Sequence, residues 1–224
     1  MSTIGRGITI LAVAFSACST FQADLSPERL VLGKTNTAQV MGYFGEPRGI
    51  DTLTGPTVPT PTSLFTYGVT QTRPPEMFRY VWQVSQRNLI LEFRNDTLHG
   101  YLYSNSFDSH STDFDKHLRR RIPIGQATTT DVLSVLGEPS GKVLLPTSLF
   151  DHPMLEHLRH LMPTNAREGW CYYYNFDYYK AGVRKRFEFY KFLVVYFNAN
   201  GTVVDKFYGE SDKVEPKGTQ IFVQ

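Results

Sequence analysis

The stretch Gly33-Lys-Thr-Asn-Thr-Ala-Gln-Val-Met-Gly-Tyr-Phe-Gly45-Glu-Pro47-Arg-Gly49 returns later in the chain as Gly125-Gln-Ala-Thr-Thr-Thr-Asp-Val-Leu-Ser-Val-Leu-Gly137-Glu-Pro139-Ser-Gly141, at a constant offset of 92. The glycines, the Val40/Val132 pair, the apolar Met41/Leu133 and Phe44/Leu136, and both Gly-Glu-Pro stops coincide. Each copy reads as one short helix. Asn36 or Thr128 supplies the N-cap, and Gln39 or Asp131, three residues on, has the spacing to reach back. Apolar residues at i, i+1 and i+4 give one buried stripe. Gly45 or Gly137 takes the place of a left-handed C′ residue, and the proline two positions later stops the helix from resuming. A helix of about 8 to 10 residues is marginal alone and must pack on a neighbour. The sequence therefore predicts an α+β fold of two tandem repeats, each a short N-terminal helix on a three-stranded antiparallel meander.

This pattern resembles the SmpA/OmlA family, the BamE-like lipoproteins of the Gram-negative outer membrane. Gln39-Val40 with Gly45-Glu46-Pro47, and Asp131-Val132 with Gly137-Glu138-Pro139, carry the resemblance. It covers the helix and the last two strands of each repeat. It implies a non-enzymatic protein that binds envelope proteins in maintaining or assembling the outer membrane.

The amino end fits that expectation. Arg6 supplies a positive start, and Ile8 to Phe15 is an apolar core too short to span a bilayer. The stretch ends in Phe15-Ser-Ala-Cys18, which resembles a bacterial lipobox. Residues 1–17 then form a signal peptide, and Cys18 is the lipid-attachment residue. A diacylglyceryl thioether with an amide-linked chain buries many methylenes at about 0.8 kcal/mol each, enough for stable anchoring. Ser19 after the cysteine favours, by analogy, the outer membrane. Cys171 is left without a disulfide partner and is expected to be buried between Trp170 and Tyr172.

Residues 18–29 read as a tether, 30–104 as the first repeat, 105–115 as a linker, 116–209 as the second repeat and 210–224 as a loose tail. Residues 49–75 hold five prolines among many threonines and read as extended loop. Strands are expected at 77–84, 88–94 and 97–103, and again at 170–176 (reaching 179), 187–197 and 202–208. Asn198-Ala-Asn-Gly201 is a hairpin signal. Pro-Thr-Ser-Leu-Phe occurs verbatim at 61–65 and 146–150, which supports duplication. A further helix is expected from Asp151 to Met162, with Met154, Leu155, Leu158, Leu161 and Met162 on one face.

A net charge of +2 argues against a nucleic-acid partner. His152, His157 and His160 with Asp151 and Glu156 form the one cluster suggestive of a metal. Their face opposes the leucine stripe and reads as solvated, so no metal or other cofactor is expected. Gly137-Glu-Pro-Ser-Gly141-Lys142 lacks the spacer and the Ser/Thr of a phosphate loop, and its helix precedes it. There is no Gly-x-Ser-x-Gly elbow, and Cys171 has no base in its strand, so no catalytic residue is named. The runs Arg119-Arg120-Arg121 and Arg184-Lys185-Arg186 with Lys191 read as solvated turns and edge charges in preference to lipid contacts. Exposed tyrosine is enriched at partner interfaces. Tyr172, Tyr174, Tyr178 and Tyr179 are therefore the candidate binding residues for envelope proteins. The alternative is a module similar to the β-lactamase inhibitor proteins, clamping a soluble enzyme through a concave sheet.

Overall fold

A computed structural model of the chain describes residues 25–53, 62–73, 81–107, 111–158, 162–180 and 186–214. Cys18 and the expected signal peptide lie outside them. Two α-helices, α1 (Thr37–Phe44) and α2 (Thr129–Leu136), accompany eight strands. The strands are β1 (Gly49–Leu53), β2 (Thr62–Arg73), β3 (Val81–Arg94), β4 (Thr97–Asn105), β5 (Gly141–Leu144), β6 (Glu168–Lys180), β7 (Arg186–Phe197) and β8 (Val203–Val214). The fold class is α+β. All eight strands belong to one sheet, antiparallel throughout, in the order of the chain.

The helices form for the reasons written in their ends. Asn36 Oδ1 accepts from Gln39 N at 2.9 Å while Asn36 N donates to Gln39 Oε1 at 3.0 Å. Thr128 and Asp131 make the same reciprocal pair, at 3.3 Å and 2.8 Å. Val40 and Val132 are each fully buried on the sheet. The closing glycines differ in detail from expectation. Gly45 has φ 77° and ψ −161°, and Gly137 φ 77° and ψ −165°. That is a region essentially reserved for glycine, outside the left-handed helical well.

Both helices dock by matching contacts. Tyr67 donates to Gly45 O at 3.1 Å, and Tyr172 to Gly137 O at 2.9 Å. Gly33 N donates to Leu98 O, and Gly125 N to Val203 O, each at 2.8 Å. Phe65 lies on Phe93 at 5.0 Å, and Trp170 on Phe197 at 4.8 Å. Phe65 therefore stands where Trp170 does. Tyr101 pairs with Lys142 and Lys142 with Trp170, so the α1 and α2 clusters share one face of the sheet.

Several strands depart from the sequence reading. Each helix is followed by four strands, not three: after α1, residues expected as loop form β1 and β2, and after α2 the unexpected strand is β5. β2 pairs with β3 from Thr62↔Arg94 to Arg73↔Gln83. Its threonines are β-branched and suit a pleated, half-buried surface. The strand expected at 88–94 and the described part of the one expected at 77–84, from Val81 on, belong to the single β3. The expected tether, linker and tail are also partly structured. Leu25 is buried in the α1 cluster, Ser106 N donates to Gln86 O at 2.9 Å, and β8 continues to Val214.

In place of the expected helix 151–162, the described residues form two 3-10 turns, Leu149–Asp151 and Pro153–Leu158, while Leu161 lies outside them. Pro153 has no N–H to continue a helix from the preceding turn. Leu155 and Leu158, three apart, eclipse on one side as a 3-10 turn requires, and both are buried. Residues 145–158 form a cover on the sheet face away from the helices, where Leu149, Phe150, Leu155 and Leu158 pack with Leu64, Ile90, Leu102, Tyr173 and Val194. The offset between matching positions is 92 at the helices and 105 at Tyr67 and Tyr172, so 13 additional residues enter between them, mostly in this cover.

Glu92 fastens the cover. Its fully buried carboxylate accepts from Thr147 Oγ1, from Ser148 N at 3.1 Å and from Leu149 N at 3.2 Å. Arg94 donates to it from Nε at 2.8 Å, with Nη2 at 2.8 Å from the same oxygen. The verbatim Pro-Thr-Ser-Leu-Phe words thus have unlike structures. Thr62 to Phe65 lie in β2 with Leu64 opposite Glu92, while Thr147 to Phe150 leave the sheet and return onto that same glutamate.

Candidate functional site

β4 and β5 are shorter than their neighbours, and this shapes one end of the sheet. Above them the order is sequential. Below them, Val81–Val84 of β3 pair directly with Asp177–Lys180 of β6. The seam so formed carries a buried polar knot. Asp177 is 1% exposed and accepts from Gln86 Nε2 and from Arg186 Nη2. Gln86 N in turn donates to Ser106 Oγ at 2.8 Å. A buried carboxylate needs such partners, and here they join β3, β6 and β7.

Beside the seam, β6 and β7 extend past the helix that covers their other end. Strand alternation brings Tyr174, Phe176 and Tyr178 of β6 to the helix-side face, and the β7 register sets Phe189 opposite Phe176 and Phe187 opposite Tyr178. The rings form a continuous ladder. Phe176 lies 5.7 Å from Tyr174, 5.9 Å from Tyr178 and 5.1 Å from Phe189, and Tyr178 stacks on Phe187 at 5.1 Å. Tyr174, Phe176, Phe187 and Phe189 are half-buried. Tyr178 is buried and donates to Asp212 Oδ1 at 2.6 Å; burial first, and then that carboxylate, push its phenol up to about 12. Lys191 bounds the ladder, held by Asp113 and Phe114 O and lying 5.8 Å from the Tyr174 ring centre. A sheet face with several half-exposed aromatic rings and a polar rim is suited to protein contact by area and shape.

The four tyrosines singled out in the sequence do not stay together. Tyr174 and Tyr178 belong to the ladder. Tyr172 is buried beneath α2 with its hydroxyl on Gly137, which removes it from any surface. Tyr179 alternates to the opposite face, in register with Trp82. Phe187 and Phe189 complete the ladder and were missed, because only the β6–β7 register brings them alongside. Cys171 is 1% exposed, and burial raises its thiol to about 12, as suits a packed and unreactive side chain.

His152 and His157 do not lie on a solvated face. His152 is 6% exposed, and His157 stacks on Tyr190 at 4.1 Å. His160 lies outside the described residues. Among the described residues no three His, Cys, Asp or Glu side chains are grouped to hold a metal ion. Among the basic runs, Arg119 lies 4.1 Å from the Tyr208 ring centre and Arg186 is paired with Asp177, so both serve the fold. Arg184 and Lys185 lie outside the described residues. No helix among the described residues is long and apolar enough to cross a membrane.

No family model and no curated protein matches the chain. Among solved structures, a "putative beta-lactamase inhibitor protein" from Streptococcus mutans is similar at 13% identity over 78% of this chain and 82% of that one, with a TM-score of 0.38. At that level the likeness assigns neither fold nor partner.

Proposed function

We propose that the protein is a lipid-anchored envelope protein on the periplasmic face of the outer membrane, built from two BamE-like units by duplication, and that it binds other envelope proteins without catalysis. The observation that carries the reading is the matched docking of two identically capped helices on one sheet, from the Asn36 and Thr128 caps to the Tyr67 and Tyr172 hydroxyls. The half-buried ladder of Tyr174, Phe176, Phe187 and Phe189 supplies the contact surface.

Cys18 supplies location. Leu25, seven residues on, is already packed in the core. A span of that length reaches at most about 25 Å, so the folded body stays close to the lipid surface. Confinement raises the effective concentration of membrane partners, and a modest interface then suffices.

Photocrosslinking in intact cells tests both halves of this reading. A photoreactive residue at Phe176 is expected to capture an integral outer-membrane protein, and one at the exposed Asn200 is not. Capture of a soluble enzyme would replace the reading with the inhibitor-like one. Cys18→Ala is expected to leave a folded protein that no longer fractionates with membranes, and continued membrane association would remove the anchor.

A further inference from the structure

His152 sits where the cover meets the first half of the sheet. Its Nδ1 accepts from Met154 N at 3.2 Å, which places the ring proton on Nε2, 3.3 Å from Thr66 Oγ1 on β2. The ring is thus used at both nitrogens, once as acceptor and once as donor. Only the neutral imidazole can do this. A second proton would lie on Nδ1, pointing at the Met154 N–H, and would place a charge in a site 6% exposed to water.

We infer that the outer part of the cover, residues 152–158, is an acid-sensitive strap, released from the sheet when His152 takes up a proton. Burial lowers the His152 pKa, and Asp51 on β1 partly opposes that. The sign follows. A histidine held neutral in the fold contributes stability that is whole above its ordinary value near 6.5 and is lost as pH falls through the lowered folded value. The other ionisable groups around the strap are Glu156 and His157 in its sequence, Asp151 just before it, Glu92 with Arg94 on β3, and His99 on β4, whose Nε2 lies 3.1 Å from Pro146 O.

Glu92 holds residues 147–149 independently of His152, so the opening is local. What it uncovers is the cleft floored by Asn88, Ile90, Ser104, Tyr173 and Asn175 and roofed by Met154 and Leu155. Ser104 and Asn175 are each 3% exposed in the closed form. Release turns a largely covered patch of mixed polar and apolar character into open surface.

The test uses the full chain carrying Cys18→Ala and Ser104→Cys, labelled with a dithiodipyridine that reacts in acid, from about pH 7.5 to about pH 4.5. Peptide mass spectrometry locates the label, an exposed thiol from Asn200→Cys normalises the rate, and circular dichroism follows the fold. The normalised rate at the Ser104→Cys site is expected to rise severalfold as pH falls below about 6.5, with the dichroism unchanged. Adding His152→Asn is expected to abolish the rise, because Oδ1 replaces Nδ1 as acceptor and does not titrate; His152→Gln serves if that variant does not fold. A flat rate in the parent, the same rise in the His152 variant, or a rise only where the dichroism is lost would each overturn the strap.

Discussion

Replacing Glu92 by alanine removes the fastening between the cover and the sheet. Four donors lose a hydrogen bond, namely Arg94 Nε, Thr147 Oγ1 and the Ser148 and Leu149 amides, of which Leu149 N keeps Thr147 Oγ1 at 3.1 Å, and Arg94 Nη2 loses its ion-pair partner. The Arg94 side chain is 12% exposed and the Glu92 side chain fully buried, so solvent screens their pairing little. Removing one member of a buried pair costs about 3–5 kcal/mol. Each orphaned buried amide costs about 1–3 kcal/mol on its own, but the groups share one acceptor and the costs do not add. The expected loss for Glu92→Ala is therefore about 3–5 kcal/mol by urea unfolding. Glu92→Gln keeps the shape and one oxygen but turns an amide N–H toward donors, for about 1–3 kcal/mol. Hydrogen exchange at residues 147–158 should accelerate in both variants before the sheet amides respond. A loss below about 1 kcal/mol for Glu92→Ala, the scale of an ordinary exposed pair, would refute the fastening role.

Three further outcomes are expected. Asn36→Ala and Thr128→Ala each lose about 1 kcal/mol by urea unfolding, and the double variant loses the sum within about 0.5 kcal/mol, because the caps belong to different helices. Gly45→Ala and Gly137→Ala each lose about 1–3 kcal/mol from backbone strain alone; an added Cβ would meet nothing within 4 Å, and crystallography of the variants should show the helix ends displaced without a clash. Tyr67→Phe and Tyr172→Phe each lose about 1 kcal/mol by removing the hydroxyl that satisfies a helix-terminal carbonyl, and thermal unfolding checks that the two effects match.

The helices were legible because their information is local. Cap, apolar stripe, closing glycine and proline fall within about a dozen consecutive positions, and the same word occurs twice. β2 was not, since its threonines and flanking prolines carry the composition of a loop, and only pairing along β3 makes it a strand. The repeated Pro-Thr-Ser-Leu-Phe misled for a related reason: five residues do not determine conformation, and the partner across from them does. Glu92 and Asp177 carried no sequence signal at all. Beyond the nearby Arg94, the donors that make burial of Glu92 tolerable lie 55 to 57 residues away, and Gln86 lies 91 residues from Asp177. The aromatic ladder was half visible, as a run of tyrosines whose alternation could be written down but whose neighbours on β7 depended on register. A helix over this segment would give His152 and His157 a solvated polar side, whereas the 3-10 path across the sheet turns both rings inward.

The strictly sequential strand order has a consequence for how the chain comes together. Nearly every strand finds its mate in the one made just before it, so a polypeptide delivered amino end first can zip hairpin upon hairpin without storing unpaired edges. The direct β3–β6 seam and the return of residues 147–149 onto Glu92 break that rule. Both wait for the carboxyl half, and their closure converts a string of hairpins into one body.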